Sequence, residues 1–168
     1  MNTIKEYQIR LDNFKRPVMV VKHEHSIPKV HDISGTYDCP EKAADIINTL
    51  FDVSTLAEEY VWMLTLSTNC KITGIFEISH GSIDRSLVPS REIIQKALLS
   101  GAVGIILVHC HPSGSPEPSD IDLLITKRLK DACDLVGIAL HDHVIIGCDA
   151  SLPTYSFLEN SKVLGGTQ

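Results

Sequence analysis

The stretch VGIILVHCHPSGSPEPSDID, residues 103–122, decides how this chain is read. Val103 to Val108 is continuously apolar and rich in β-branched residues, the pattern of a strand covered on both faces. The run ends in His109-Cys110-His111. Successive strand side chains alternate faces, so His109 and His111 project from one side and Cys110 from the other. Pro112, Gly114, Pro116 and Pro118 then make a tight loop. After Ser119, the residues Ile121, Leu124, Ile125, Leu129, Ala132, Cys133 and Val136 recur at three-and-four spacing and Gly137 closes them, which marks a helix. Two imidazoles at the end of a buried strand, followed by a rigid loop, form a chelating edge for a metal ion.

Catalytic zinc usually takes three protein ligands and a water. The third ligand can come from the first turn of the following helix, where Asp120 and Asp122 lie about 200° apart around the axis, so only one of them faces the histidines. Ser119 and Asp122 share a face; if Ser119 is near the metal, Asp122 is the better ligand. Taken alone, Ser119-x-x-Asp122 is a capping box and H-x-H is an ordinary strand pattern. One carboxylate oxygen can serve a cap and the other a metal. The joint pattern H-x-H-P-S-G-x-x-x-P-S-x-x-D is far more specific than its parts.

Outward from this stretch, Pro40 opens a helix over about residues 40–51, with Ala43, Ala44, Ile46, Ile47 and Leu50 at helical spacing. Val61 to Leu66 and Ile72 to Ile78 read as antiparallel strands around a turn at residues 67–70. Ser90 is placed as the N-cap of a helix with Ile93, Ile94, Ala97 and Leu98 inside and Gly101 at its C′ position. A last strand spans roughly Ile138 to Ile146 and leads into a Gly- and Ser-containing tail. Residues 1–39 are more polar: Tyr7, Ile9 and Leu11 alternate with polar neighbours, and Val18 to Val21 follows Pro17. This section is an N-terminal extension, either packed on the main domain of residues 40–168 or forming an edge hairpin.

The 168 residues suit one domain, and 43% apolar against 21% charged residues can bury a core. The net charge of −6 and an aromatic content of 5% argue against broad phosphate-backbone binding and against a base-stacking platform. Five cysteines without C-x-x-C spacing and an N-terminus too polar for a signal peptide point to reduced thiols in the cytoplasm. No apolar run reaches the ~18 residues of a membrane span. Of the remaining histidines, His23, His25 and His31 read as solvated surface rather than a second metal site, and His80 as turn or surface. His143, beside Asp142, reads as a hydrogen-bonding partner rather than a ligand, as does His141.

His109 to Gly114 with Pro118, Ser119 and Asp122 resembles the JAMM/MPN metalloprotease motif in the form seen in the RadC family of bacterial proteins. The resemblance extends to Ser82-Ile83-Asp84, Arg91-Glu92-Ile93 and residues 142–147, and covers about residues 40–158. It implies an α/β fold, a mixed sheet flanked by helices with cytidine-deaminase-like architecture. It also implies zinc (Zn2+) held by His109, His111, Asp122 and a water. A glutamate just before an apolar strand serves as general base, which maps to Glu59; the residues by themselves leave Glu58, Glu77 and Glu92 open. Ser119 then stabilises the oxyanion, and the reaction is hydrolysis of an amide or isopeptide bond in a peptide or protein substrate. Cys110 stands where the family often has Asn, and Pro89-Ser90 where His-Pro is frequent. The helix-hairpin-helix region typical of RadC proteins has no counterpart in residues 1–40, which weighs against the alternative of a DNA repair or recombination accessory. A metal-binding interaction module without turnover is the other alternative, and a homodimer is left open.

Overall fold

The computed structural model describes residues 2–27, 36–37, 39–81, 89–147 and 154–165. Ser82-Ile83-Asp84, His31 and Cys148 lie outside them. Among these residues seven strands, β1 (Asn2–Leu11), β2 (Pro17–Ile27), β3 (Tyr60–Leu66), β4 (Ile72–His80), β5 (Gly104–His111), β6 (Ala139–Gly147) and β7 (Tyr155–Ser156), form one mixed sheet. Their order is β2-β1-β4-β3-β5-β6-β7. Four α-helices accompany them among the described residues, α1 (Pro40–Phe51), α2 (Ser90–Leu99), α3 (Asp120–Val136) and α4 (Phe157–Asn160), with a short 3-10 helix at Val53–Thr55.

β5 lies near the middle of this sheet, antiparallel to β3 and parallel to β6, and every residue from Gly104 to Cys110 is buried. Strand alternation divides the core in two. Trp62, Leu64, Ile106, Val108 and Cys110 face α1, whose Ala43, Ala44, Ile46 and Ile47 cover them. Val61, Met63, Ile105 and Leu107 face α2 and α3 through Ile93, Ala97, Leu129 and Cys133. At the start of β5, Gly104 leaves room for the His141 ring of β6, which an added Cβ would meet at 2.4 Å.

Several expectations are corrected. The strand carrying the histidines starts at Gly104, with Val103 exposed before it, and ends in His109-Cys110-His111 as expected. Ser90 is the first helical residue of α2 rather than its cap; Pro89 holds the N-cap position and no side chain caps the helix. On α3 the buried stripe is Asp122, Thr126, Leu129 and Cys133, so two polar residues occupy core positions while Leu124 and Val136 are exposed. Within the N-terminal section, β1 and β2 form an edge hairpin that joins the main sheet through a parallel pairing of β1 with β4. His23 and His25 belong to β2, and His25 is half-buried rather than solvated. Of the tail, the described residues 154–165 carry β7, paired to β6, and α4.

Candidate metal centre

β5 delivers His109 and His111 to the same face of the sheet, their rings perpendicular with centroids 4.5 Å apart, while Cys110 is buried on the opposite face. The loop after them is held from two sides. Gly114 has a φ of +85° and its amide donates to the His111 carbonyl. Gly147, at the end of β6, packs so closely that an added Cβ would lie 1.9 Å from the Gly114 carbonyl oxygen. His111 Nδ1 is 2.9 Å from the carbonyl oxygen of Ser115. A carbonyl only accepts, so Nδ1 carries the proton; in the neutral ring Nε2 keeps its lone pair, and in the protonated ring it faces Asp122 Oδ2 as a donor, at 3.6 Å.

Ser119 caps α3 in a full capping box. Its Oγ accepts from the Asp122 amide, and Asp122 Oδ2 accepts from both the amide and the hydroxyl of Ser119, at 2.8 and 2.6 Å. The other oxygen, Oδ1, lies 3.1 Å from His109 Nδ1. The cap thus occupies Oδ2, which His111 also approaches, while His109 takes Oδ1, and Asp120 stays exposed on another face of the helix. Burial would raise the Asp122 carboxyl, but donors from His109, His111 and Ser119 outweigh it and hold the group well below the usual carboxylate range. Burial likewise acts to lower His111, and Asp122, the Ser115 carbonyl and the Glu59 charge raise it instead.

His109, His111 and Asp122 each offer one ligand atom, and those atoms all lie within 4.8 Å of one another, a group able to hold a metal ion. It is the one such group among the described residues. Glu59 precedes β3 directly and is half-buried. The β3–β5 register pairs Tyr60 with Cys110, so one step further sets Glu59 beside His111. The other glutamates are elsewhere: Glu58 and Glu92 are exposed, and Glu77 is engaged by Lys22 and His80. Ser119 is exposed beside the group, with its proton directed at Asp122 Oδ2.

Behind the group lies a set of buried polar residues. The Asp142 carboxylate accepts from Tyr37 Oη, Ser156 Oγ and the amides of His143 and Leu158. Burial pushes His143 down to about 3, so its ring is neutral. Its Nδ1 meets Thr126 Oγ1 at 2.6 Å. The hydrogen-bonding role read for His143 is thus present, whereas Thr126, Tyr37 and Ser156 escaped sequence reading. The only signal for Thr126 was a polar residue four positions after Asp122 on a helix. A separate cleft of about 660 Å3 between the β1–β2 hairpin and α2, lined by Tyr7, Lys22, Pro89 and Lys96 among others, includes none of the three centre residues.

A mixed sheet whose central strand ends in His-x-His against a serine-capped helix bearing aspartate defines a JAB/MPN-type domain. The chain belongs to the RadC family: the RadC-like JAB domain matches residues 37–162. It is similar to the UPF0758 protein of Desulforudis audaxviator, 38% identical over 112 residues that make up 67% of this chain and 48% of that protein. It is also similar to the UPF0758 protein of Caldanaerobacter subterraneus, 44% identical over 104 residues, 61% of this chain and 45% of that one. A third relative, from Clostridium acetobutylicum, is 39% identical over 108 residues, 64% of this chain and 46% of its own. The chain therefore spans about half the length of the curated relatives it matches.

Proposed function

We propose that the chain is a zinc-dependent hydrolase of the JAMM type, cleaving an amide or isopeptide bond in a peptide or protein substrate. The observation that carries this reading is the convergence of His109, His111 and Asp122 at the strand end beside Glu59. Two imidazoles and one carboxylate suit zinc, and three protein donors leave a position open, as catalytic sites do. His111 supports the fit: the Ser115 carbonyl fixes its tautomer with Nε2 unprotonated on the Asp122 side. Bound there, zinc supplies Lewis acidity to the scissile carbonyl and lowers the pKa of a water towards about 7.

The chain's own residues supply the rest. Asp122, held anionic by its neighbours, carries the negative charge a cation needs. Glu59 takes a proton from the attacking water and returns it to the leaving amine. Ser119, exposed at the rim, is the hydroxyl that turns from Asp122 Oδ2 to the oxygen gaining negative charge.

Glu59→Gln and wild type, both loaded with zinc, should be compared on a library of peptides and isopeptides. Equal zinc content with hydrolysis reduced about 100- to 10,000-fold is the expected result. Equal turnover would remove Glu59 from the mechanism, and no turnover by the wild type on any member would favour an interaction module.

A further inference from the structure

Thr126 lies one turn after Asp122 on α3 and is fully buried. Its hydroxyl donates to the Asp122 backbone carbonyl at 2.6 Å, a common arrangement for a threonine inside a helix. Less common is what bonds to the same oxygen from another element. His143 Nδ1, on β6, is 2.6 Å from it. A hydroxyl has one proton, and the Asp122 carbonyl receives it, so His143 must donate through Nδ1–H. The chain of donors therefore runs in one direction, from His143 to Thr126 to the main chain of Asp122.

His143 has little freedom to do otherwise. Its ring stacks on Phe157 at 4.8 Å and 6°, and runs nearly parallel to His109 at 6.0 Å and 13°. The residue before it, Asp142, is tied to the tail and to Tyr37 by its bonds to Tyr37, Ser156 and Leu158. The Nε2 atoms of both His109 and His143 are buried without a hydrogen-bond partner. Such atoms are costly to bury, and they occur here on adjacent strands within the polar interior behind the candidate centre.

We propose that His143 and Thr126 are positioning residues of the metal centre: their hydrogen-bond chain ties β6 to the first turn of α3 and holds Asp122 at the distance from His109 and His111 that a metal ion requires. The inference rests on the reading of those three residues as metal ligands. The capping box fixes the Asp122 side chain relative to Ser119, within the helix. The Thr126 link fixes the same turn relative to the sheet. β6 pairs with β5, with His143 opposite Leu107, two residues before His109, so both halves of the centre are referred to one rigid pair of strands. Without the link, α3 keeps its cap but loses its register against the histidines.

The test is the equilibrium zinc affinity of the full chain, measured by competition with a chromophoric chelator. Thr126→Val removes the hydroxyl at nearly constant volume, and His143→Phe removes the donor while keeping the stack on Phe157. Each should weaken zinc binding by about 10- to 100-fold, the loss typical of a group that orients a ligand from outside the coordination sphere. Thr126→Ser and His143→Asn retain the hydroxyl and an N–H donor and should stay within about threefold of wild type. The visible spectrum of the Co2+-loaded protein adds a second readout, since altered d–d bands in Thr126→Val and His143→Phe would report displaced ligands where a purely structural role would leave the spectrum unchanged. His143→Phe keeps the test available if Thr126→Val does not fold. Folded variants that bind zinc as tightly as wild type, with unchanged cobalt spectra, would overturn the positioning role alone. A wild-type chain that binds no zinc would overturn the metal reading itself.

Discussion

Three strands of this sheet carry a His-x-His pattern, and two of those pairs invite comparison: His23 and His25 on β2, and His109 and His111 on β5. The ring centroids are 4.5 Å apart in both pairs, so the spacing of the imidazoles does not distinguish them. Their surroundings do. On β2, His25 Nε2 lies 3.0 Å from Glu6, but the Lys22 ammonium lies 2.6 Å from the same carboxylate and 3.0 Å from Glu77. A lysine already supplies the positive charge. On β5, Asp122 is surrounded by imidazoles and a serine hydroxyl, and among the described residues no Lys or Arg reaches it. A histidine pair on a strand is a candidate chelate only where its carboxylate has no fixed cation, a condition that spacing alone does not reveal.

The comparison can be broken at several points. Asp122→Asn keeps the shape and part of the cap but removes the anion; zinc affinity should fall by more than the hundredfold or so expected from an outer partner, as read by competition titration. Gly147→Ala places a methyl against the Gly114 backbone, which cannot yield cheaply, so the loop after His111 must shift. Zinc affinity is expected to drop about tenfold while the β2 cluster is unaffected. Lys22→Met strips the cation from β2 and leaves Glu6, 3% exposed, with only His25; denaturant unfolding at neutral pH should show a loss of about 1–3 kcal/mol with zinc affinity unchanged.

The smallest effect concerns acid. Burial acts to raise Glu77, and Lys22 and His80 more than reverse it, so its folded value lies below the ordinary 4.5. A depressed carboxylate contributes stability that is complete above pH 4.5 and lost as pH falls through the lowered value. Glu77 is partly exposed, so solvent screens this contribution. Wild-type stability should therefore decline more steeply below pH 4.5 than that of Lys22→Met, as read from unfolding midpoints across the acid range.

The centre was legible where its signals are local. A continuous apolar run specifies β5, strand alternation puts both histidines on one face, and Ser119-x-x-Asp122 specifies the start of α3. Glu59 differs from Glu58 by nothing in its own neighbourhood; its place beside His111 follows from the antiparallel register of β3 on β5, which is long-range information. Resemblance to the RadC family singled it out where the residues alone could not. Thr126 was hidden for a related reason: a threonine on a helix gains meaning only when a histidine from another strand meets it. β7 and α4 are too short to show a period, and a buried aspartate ties them to β6 and Tyr37. Glu6 inverts the usual alternation, since a carboxylate occupies a core position of β1 that only Lys22 and His25 make tolerable.

The central claim is that the β5 pair with Asp122 holds a metal and the β2 pair does not. Equilibrium zinc titration of the full chain, with bound metal counted by mass spectrometry, tests it most directly in wild type, His109→Ala/His111→Ala and His23→Ala/His25→Ala. One tightly bound zinc is expected in wild type, one in the β2 variant and none in the β5 variant. Stoichiometric zinc retained after loss of His109 and His111, or lost after removal of His23 and His25, would contradict it.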